Sequence, residues 1–201
     1  MAKVKYGLKN VHYAKITEGE NGAITYGTPV HWPGAVSMSL DAEGELTPFR
    51  ADNMNYWVAS SNNGYSGELE TALIPDSFRK DILGEVEDTN GVLVEYADAK
   101  PSSFALMFQV ENDVDATRFC YYNCTATRPS SEANTTEETI EPQTDTISFT
   151  ASPTPDSLVK ATADASDSPY ATWFETVYIP TRTTQGSNAG ATQGSNTGTP
   201  Q

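Results

Sequence analysis

Residues 36–41, VSMSLD, and residues 68–73, ELETAL, decide the fold class of this chain. In the first run Val36, Met38 and Leu40 alternate with Ser37, Ser39 and Asp41. In the second, Leu69, Thr71 and Leu73 alternate with Glu68, Glu70 and Ala72. A period of two sends successive side chains to opposite faces of a pleated strand. Each run therefore predicts a strand with an apolar side that needs burial and a polar side that meets water.

The same alternation recurs on either side. Val4, Tyr6 and Leu8 oppose Lys3, Lys5 and Lys9 in a predicted half-buried strand, which Val11, Tyr13 and Lys15 extend. Glu18 to Gly22 reads as a turn before Ala23–Tyr26, and Pro29, Pro33 and Gly34 break regular structure around Trp32. Phe104, Leu106, Phe108 and Val110 form another alternating strand; after an Asn112-Asp113 turn come predicted strands over 118–127 and 146–151. Asn90-Gly91, between Val86 and the run 92–96, is a hairpin signal. Pro75 to Leu83 predicts a helix with Phe78 and Ile82 one turn apart and Gly84 as its stop. Tyr170, Trp173, Phe174 and Val177 follow helical spacing after Asp167-Ser168-Pro169, which predicts a short amphipathic helix.

Two stretches lack this regularity. Ala42 to Gly64 is polar, Asn-rich and interrupted by Pro48, yet carries Phe49, Met54, Tyr56 and Trp57. A long loop bearing exposed aromatics predicts a contact surface. Beyond Pro180 the chain becomes repetitive, TTQGSNAGA at 183–191 echoed by ATQGSNTGT at 191–199, without acids or apolar bulk. Residues 1–180 are expected to form one domain and 181–201 a flexible tail.

The chain has 201 residues and a formal charge of -15. So acidic a molecule is not built to hold nucleic acid through its phosphates. The charge is uneven: the first fifteen residues carry +4 and the rest -19, and residues 16–78 hold nine acids with Arg50 as their single cation. Such asymmetry suits a basic start on one copy meeting an acidic face on another. No apolar run is long enough to span a bilayer, and Met1-Ala2-Lys3 leads directly into alternating sequence, so the expected compartment is a cytosol.

Catalytic and metal-binding patterns are weak. Cys120 and Cys124 on one strand would stand about 13 Å apart, beyond disulfide reach, and predict free thiols. His12 and His31 have no ligand spacing beside them, so no metal is expected. Gly64-Tyr65-Ser66-Gly67 is followed by Glu68 where a nucleophile elbow needs glycine. Glu68 and Glu70 sit two apart on one strand, whereas paired catalytic acids flank a bond from separate elements. No P-loop or dinucleotide fingerprint occurs. These readings leave a binding or assembly protein without a cofactor, not an enzyme.

Several segments resemble the phi13-type phage major tail protein family, from long-tailed phages of Gram-positive hosts. They are YGLKNVHYAK at 6–15, YGTPVHWPGA at 26–35, NNGYSGELETALIPDSFRKDILGE at 62–85, NGVLVEY at 90–96, YNCTATR at 122–128, TIEPQTD at 139–145 and WFETVYIP at 173–180. The resemblance covers roughly residues 3 to 180 in order. It implies a mainly β subunit, a β-sandwich or partial barrel with one or two short helices. Such subunits would form hexameric rings that stack into a virion tail tube, assembled in the host cytoplasm. Implied partners are further copies of the chain, a tape-measure protein, and terminator or initiator proteins. DNA would pass through the lumen without specific binding, and no membrane is involved.

The family supplies no catalytic residues. Strand alternation makes Ser37, Ser39, Asp41, Glu68 and Glu70 the expected lumen lining, with Val36, Met38, Leu40, Leu69 and Leu73 buried behind them. Lys3, Lys5, Phe49, Arg50, Met54, Tyr56 and Trp57 are the expected contacts between subunits. The alternative is a carbohydrate-binding virion module with Trp32, Tyr56 and Trp57 as stacking platforms.

Overall fold

The alternating run around Leu69 is a strand of a large antiparallel sheet, second from its margin. The structure, a computed structural model, describes residues 3–19, 22–130, 135 and 142–181. Its strands are β1 (Lys5–Glu18), β2 (Ile24–Tyr26), β3 (Val30–His31), β4 (Ala35–Glu43), β5 (Leu46–Ala51), β6 (Met54–Ser60), β7 (Gly64–Thr71), β8 (Val86–Glu87), β9 (Leu93–Val94), β10 (Phe104–Asn112), β11 (Thr117–Ala126), β12 (Asp145–Ala151) and β13 (Lys160–Ala163). The main sheet runs β2-β1-β10-β11-β12-β7-β4, with β13 added to β11 and β3 to β1. It is one large antiparallel sheet and not a closed barrel among the described residues. The expected tail from 181 to 201 lies, apart from Thr181, outside the described residues.

One face of the sheet holds the larger core. Val11, Tyr13, Leu69, Phe104, Leu106, Ile147 and Phe149 project into it from the strands. Trp32, Phe78 and Ile82 cover it from outside the main ladder. Pro75 precedes a single helical turn, α1 (Asp76–Phe78), which widens into a π turn over Arg79–Leu83 and stops at Gly84 with φ 81°. The predicted helix thus exists, and both Phe78 and Ile82 are fully buried. Phe78 packs edge-on against Tyr13 and Phe104, with ring centroids 5.1 and 5.3 Å away. Pairs in this geometry contribute about 1 kcal/mol beyond their buried area.

The opposite face is covered over part of its width. Ala14, Ala105, Met107, Cys120 and Tyr122 form a second core under Trp173. The predicted terminal amphipathic helix is absent: a 3-10 turn at Ser168–Tyr170 leads into further turns. The aromatic spacing nevertheless serves packing. Trp173 donates its Nε1–H to the Phe119 carbonyl, and the Tyr122 hydroxyl donates to the Tyr178 carbonyl. Arg118 lies over the rings of Tyr170 and Phe174, 3.8 and 4.9 Å from their centroids, and donates to the Tyr170 carbonyl. The free thiols sit on opposite faces of β11, Cys120 in the smaller core and Cys124 in the larger.

Other expectations need correction. Val4 and Tyr6 are exposed, since the register slips at Gly7 and at Asn10, both of positive φ. Two bulges re-aim β1, and its buried residues begin at Val11. Val36 and Leu73 are also exposed, Val36 at a register shift in β4 and Leu73 beyond the end of β7. Most importantly, the stretch from Ala42 to Gly64 is no loop. It is the hairpin β5–β6, turned by Asp52 and Asn53 at φ 51° and 62°. The Asn90-Gly91 turn joins the two short strands β8 and β9 as predicted, with Asp88 accepting from the backbone N–H of Asn90 and Val92.

Candidate functional site

Two surfaces grow from the same pair of chain segments. In the body, β7 is paired with β4 on one side and β12 on the other, in matched register. Glu70 lies between Ser37 and Thr146, Glu68 between Ser39 and Ser148, and Ser66 between Asp41 and Thr150. All five residues predicted to line a lumen therefore share one open face of three strands. The intervening residues Met38, Leu69 and Ile147 point the other way, into the larger core.

The face is a lattice of hydroxyls and carboxylates. Ser37 Oγ donates to Glu70 Oε2 at 2.7 Å, and Thr144 Oγ1 to Glu70 Oε1 at 2.8 Å. These two bonds hold the Glu70 carboxyl below its usual range, Ser37 contributing most. Ser148 donates to Glu68 at 3.3 Å, and Ser66 to Glu43 at 2.6 Å. The strands β4, β7 and β12 contain Asp41, Glu43, Glu68, Glu70 and Asp145 and no Lys or Arg. At neutral pH this surface presents uncompensated negative charge. The sequence reading missed Thr146, Ser148 and Thr150; their alternation with Ile147, Phe149 and Ala151 was visible, but the pairing of β12 with β7 was not.

Beyond Glu43 and Gly64 the same two segments continue as the β5–β6 arm. Backbone bonds from Asn63 to Glu43 and from Ser61 to Glu45 carry the ladder across the junction. Gly64 sits there at φ 101°, where a Cβ would fall inside the Ala151 carbonyl oxygen. In the arm both faces are apolar. Pro48 pairs with Val58 on one side, and Phe49 with Trp57 on the other. None of this surface is buried: Phe49, Met54, Tyr56 and Trp57 are each 59–70% exposed. Arg50 lies near the tip, paired with Asn55. Five of the predicted contact residues, Phe49, Arg50, Met54, Tyr56 and Trp57, are thus gathered on one exposed hairpin.

The basic start is placed less distinctly. Lys3 donates its backbone N–H to Asp113 at 2.7 Å, Lys9 pairs with Glu111 at 2.8 Å, and the Lys5 ammonium lies 5.9 Å from the Phe119 ring. These lysines are exposed; Lys9 and Lys5 are met by side chains of their own chain, Lys3 through its backbone alone.

The remaining candidates resolve simply. Trp32 is 1% exposed and donates its indole N–H to Thr71, so it cannot serve as a carbohydrate platform. Ser66 lies on a strand with Glu43 as its partner, which makes it part of the lattice. Burial pushes both cysteine thiols up, away from the reactive thiolate. Among the described residues no three His, Cys, Asp or Glu side chains group as metal ligands, and no helix is long and apolar enough to cross a membrane.

Among solved structures, the cryo-EM structure of the anti-feeding prophage cap (AFP tube terminating cap) is similar at TM-score 0.48 and 13% identity, over 81% of this chain and 95% of that one. A comparison with curated proteins finds no match. The model of the family described as phage tail tube protein matches residues 1–177. By that match the chain belongs to the phage tail tube protein family.

Proposed function

We propose that this protein is a structural subunit, not an enzyme, that assembles as hexameric rings stacked into a tail tube, with the β4-β7-β12 polar face lining the bore. The observation that carries this reading is the open three-strand face itself. The larger core closes one side of these strands, yet nothing among the described residues covers the other. At its margin β4 is an edge strand of nine residues with no partner on its outer side among the described residues. An edge of that length is a liability in a lone molecule and an asset in a wall, where a neighbouring copy pairs with it.

The chemistry of the face suits a conduit. Fixed carboxylates repel phosphates and prevent the counterion-releasing contacts by which DNA would adhere. Their field decays over about 8 Å at physiological salt, so it acts along the wall without closing the bore. DNA then passes without specific binding, a tape-measure protein occupies the bore before it, and terminator and initiator proteins bound the stack. The arm meets an adjacent copy, as its exposed aromatics require.

Replacing Glu68 and Glu70 with Lys tests the assignment. Both side chains lie on the open face, so tubes should still form, while DNA ejection slows or arrests, more severely at low salt. Normal ejection at all ionic strengths would remove the face from the bore. A carbohydrate-binding subunit, by contrast, would stay monodisperse where this one forms rings or tubes.

A further inference from the structure

The chain's two histidines meet across the short pairing of β1 with β3, which sets His12 opposite His31. One step away on each strand, Trp32 donates its backbone N–H to the Val11 carbonyl at 2.7 Å. His12 and His31 are therefore a non-hydrogen-bonded pair of an antiparallel ladder, the arrangement in which facing side chains stand closest. Their ring centroids lie 4.9 Å apart, with the planes tilted at 53°. Strand pairing thus unites two imidazoles that sequence spacing keeps apart.

The His12 ring is held from two directions. The register slip between Lys9 and His12 leaves Asn10 without a partner on β10, and the Asn10 carbonyl accepts from His12 Nδ1 at 2.8 Å. Phe174 stacks on the ring at 4.6 Å. A carbonyl can only accept, so the neutral imidazole carries its proton on Nδ1 and its lone pair on Nε2. Metal-ligating histidines are fixed in this way, by an outer bond from the other ring nitrogen. His31 is exposed, which opens the pair to solvent.

Two imidazoles on one ion, each nitrogen about 2.1 Å from it and the two separated by roughly 90–109°, place their ring centroids roughly 4.5–5.2 Å apart. The observed 4.9 Å falls inside that interval. We infer that His12 and His31 form a two-histidine site for a divalent late first-row transition ion, Zn2+, Ni2+ or Cu2+, with water in the remaining positions. Imidazole suits these ions, whereas Mg2+ and Ca2+ prefer oxygen ligands. A bound ion would staple β3, a strand of two residues, to β1, and so fix the chain just before Trp32 enters the larger core. The site stands whether or not the chain builds tubes.

Equilibrium dialysis of the full chain against Zn2+ tests this for monomers and assemblies alike, in a neutral buffer with excess Mg2+ to occupy the carboxylates. Saturable uptake of one ion per chain is expected, and zinc X-ray absorption should show two imidazole nitrogens at about 2.0–2.1 Å. Losing a ligand costs at least what losing its outer partner does, so His31→Gln, at an exposed position, should bind at least about tenfold more weakly. His12→Gln should weaken binding likewise. Uptake that does not saturate, an absorption spectrum with oxygen ligands alone, or unchanged affinity in His31→Gln would overturn the proposal. The two rings would then meet as an aromatic contact only.

Discussion

The body of the β4–β7 ladder and its arm are made of the same two chain segments, yet they follow opposite rules. In the body, Met38 and Leu69 face the core while Ser39 and Glu68 face water, so each strand is satisfied within one molecule. In the arm, Phe49 and Trp57 occupy one face, Pro48 and Val58 the other, and neither finds a core. An isolated two-stranded ribbon is marginal in water. The contrast sets a body whose strands are satisfied within one molecule against an arm whose apolar faces find no partner among the described residues.

Substitutions should separate the two regimes. Phe78→Ala empties the centre of the larger core, where the ring is fully buried against Tyr13, Trp32 and Phe104. It should lower subunit stability by about 3–5 kcal/mol in urea unfolding. Trp57→Ala, though it also removes a large aromatic, should change subunit stability by no more than about 0.5 kcal/mol and yet shorten or abolish tubes. Equal losses of stability from the two would erase the distinction.

Gly64→Ala strikes the junction. The added methyl meets the Ala151 carbonyl at a backbone angle that L residues rarely adopt, and a cost of roughly 2 kcal/mol or more is expected. Tubes grown from such protein should be fewer than its remaining stability alone would allow, since the arm's departure angle changes with the junction.

A smaller effect is expected at Thr71→Val. Thr71 Oγ1 accepts the Trp32 indole N–H at 3.2 Å and donates toward the Gly34 and Leu73 carbonyls. Valine keeps the shape and strands a buried donor, at about 1–3 kcal/mol by calorimetry. Assembly at temperatures where the variant is folded should be unaffected.

The smallest effect concerns pH. Burial, ahead of the neighbouring His31, lowers the pKa of His12, whose ring stacks on Phe174 at 4.6 Å. The folded state thus binds protons less readily than the unfolded one. Stability is fully present above the ordinary value of 6.5 and is lost as pH falls through the lowered folded value. The melting temperature should drop between pH 7 and about 5 in the wild type, and by less in His12→Gln.

What could be read from sequence follows the same division. Alternation around Leu69 reports a strand buried on one face, so the body and its polar residues were legible, whereas the strand of Phe108 is buried on both faces, with Ala105 and Met107 in the smaller core. The arm was not, because residues apolar on both faces give no period and Pro48 and the Asn residues imitate a loop. The start of β1 misled for another reason: bulges at Gly7 and Asn10 shift the side-chain parity, so Val4 and Tyr6 continue the written pattern but not the buried one. The spacing of Tyr170, Trp173 and Phe174 predicts an amphipathic helix that is absent, although Trp173 is buried in the smaller core. Turns satisfy their spacing as well as a helix does, and the Arg118 guanidinium lies over two of the rings.

The most direct measurement is a cryo-EM reconstruction of the assembled protein. The account predicts rings stacked into a hollow tube, with Glu68 and Glu70 exposed on the wall of the bore and the β5–β6 arm reaching out of its own ring. A tube with both carboxylates on its outer surface, or a protein that remains a dispersed monomer at high concentration and in the presence of its initiator, would contradict it.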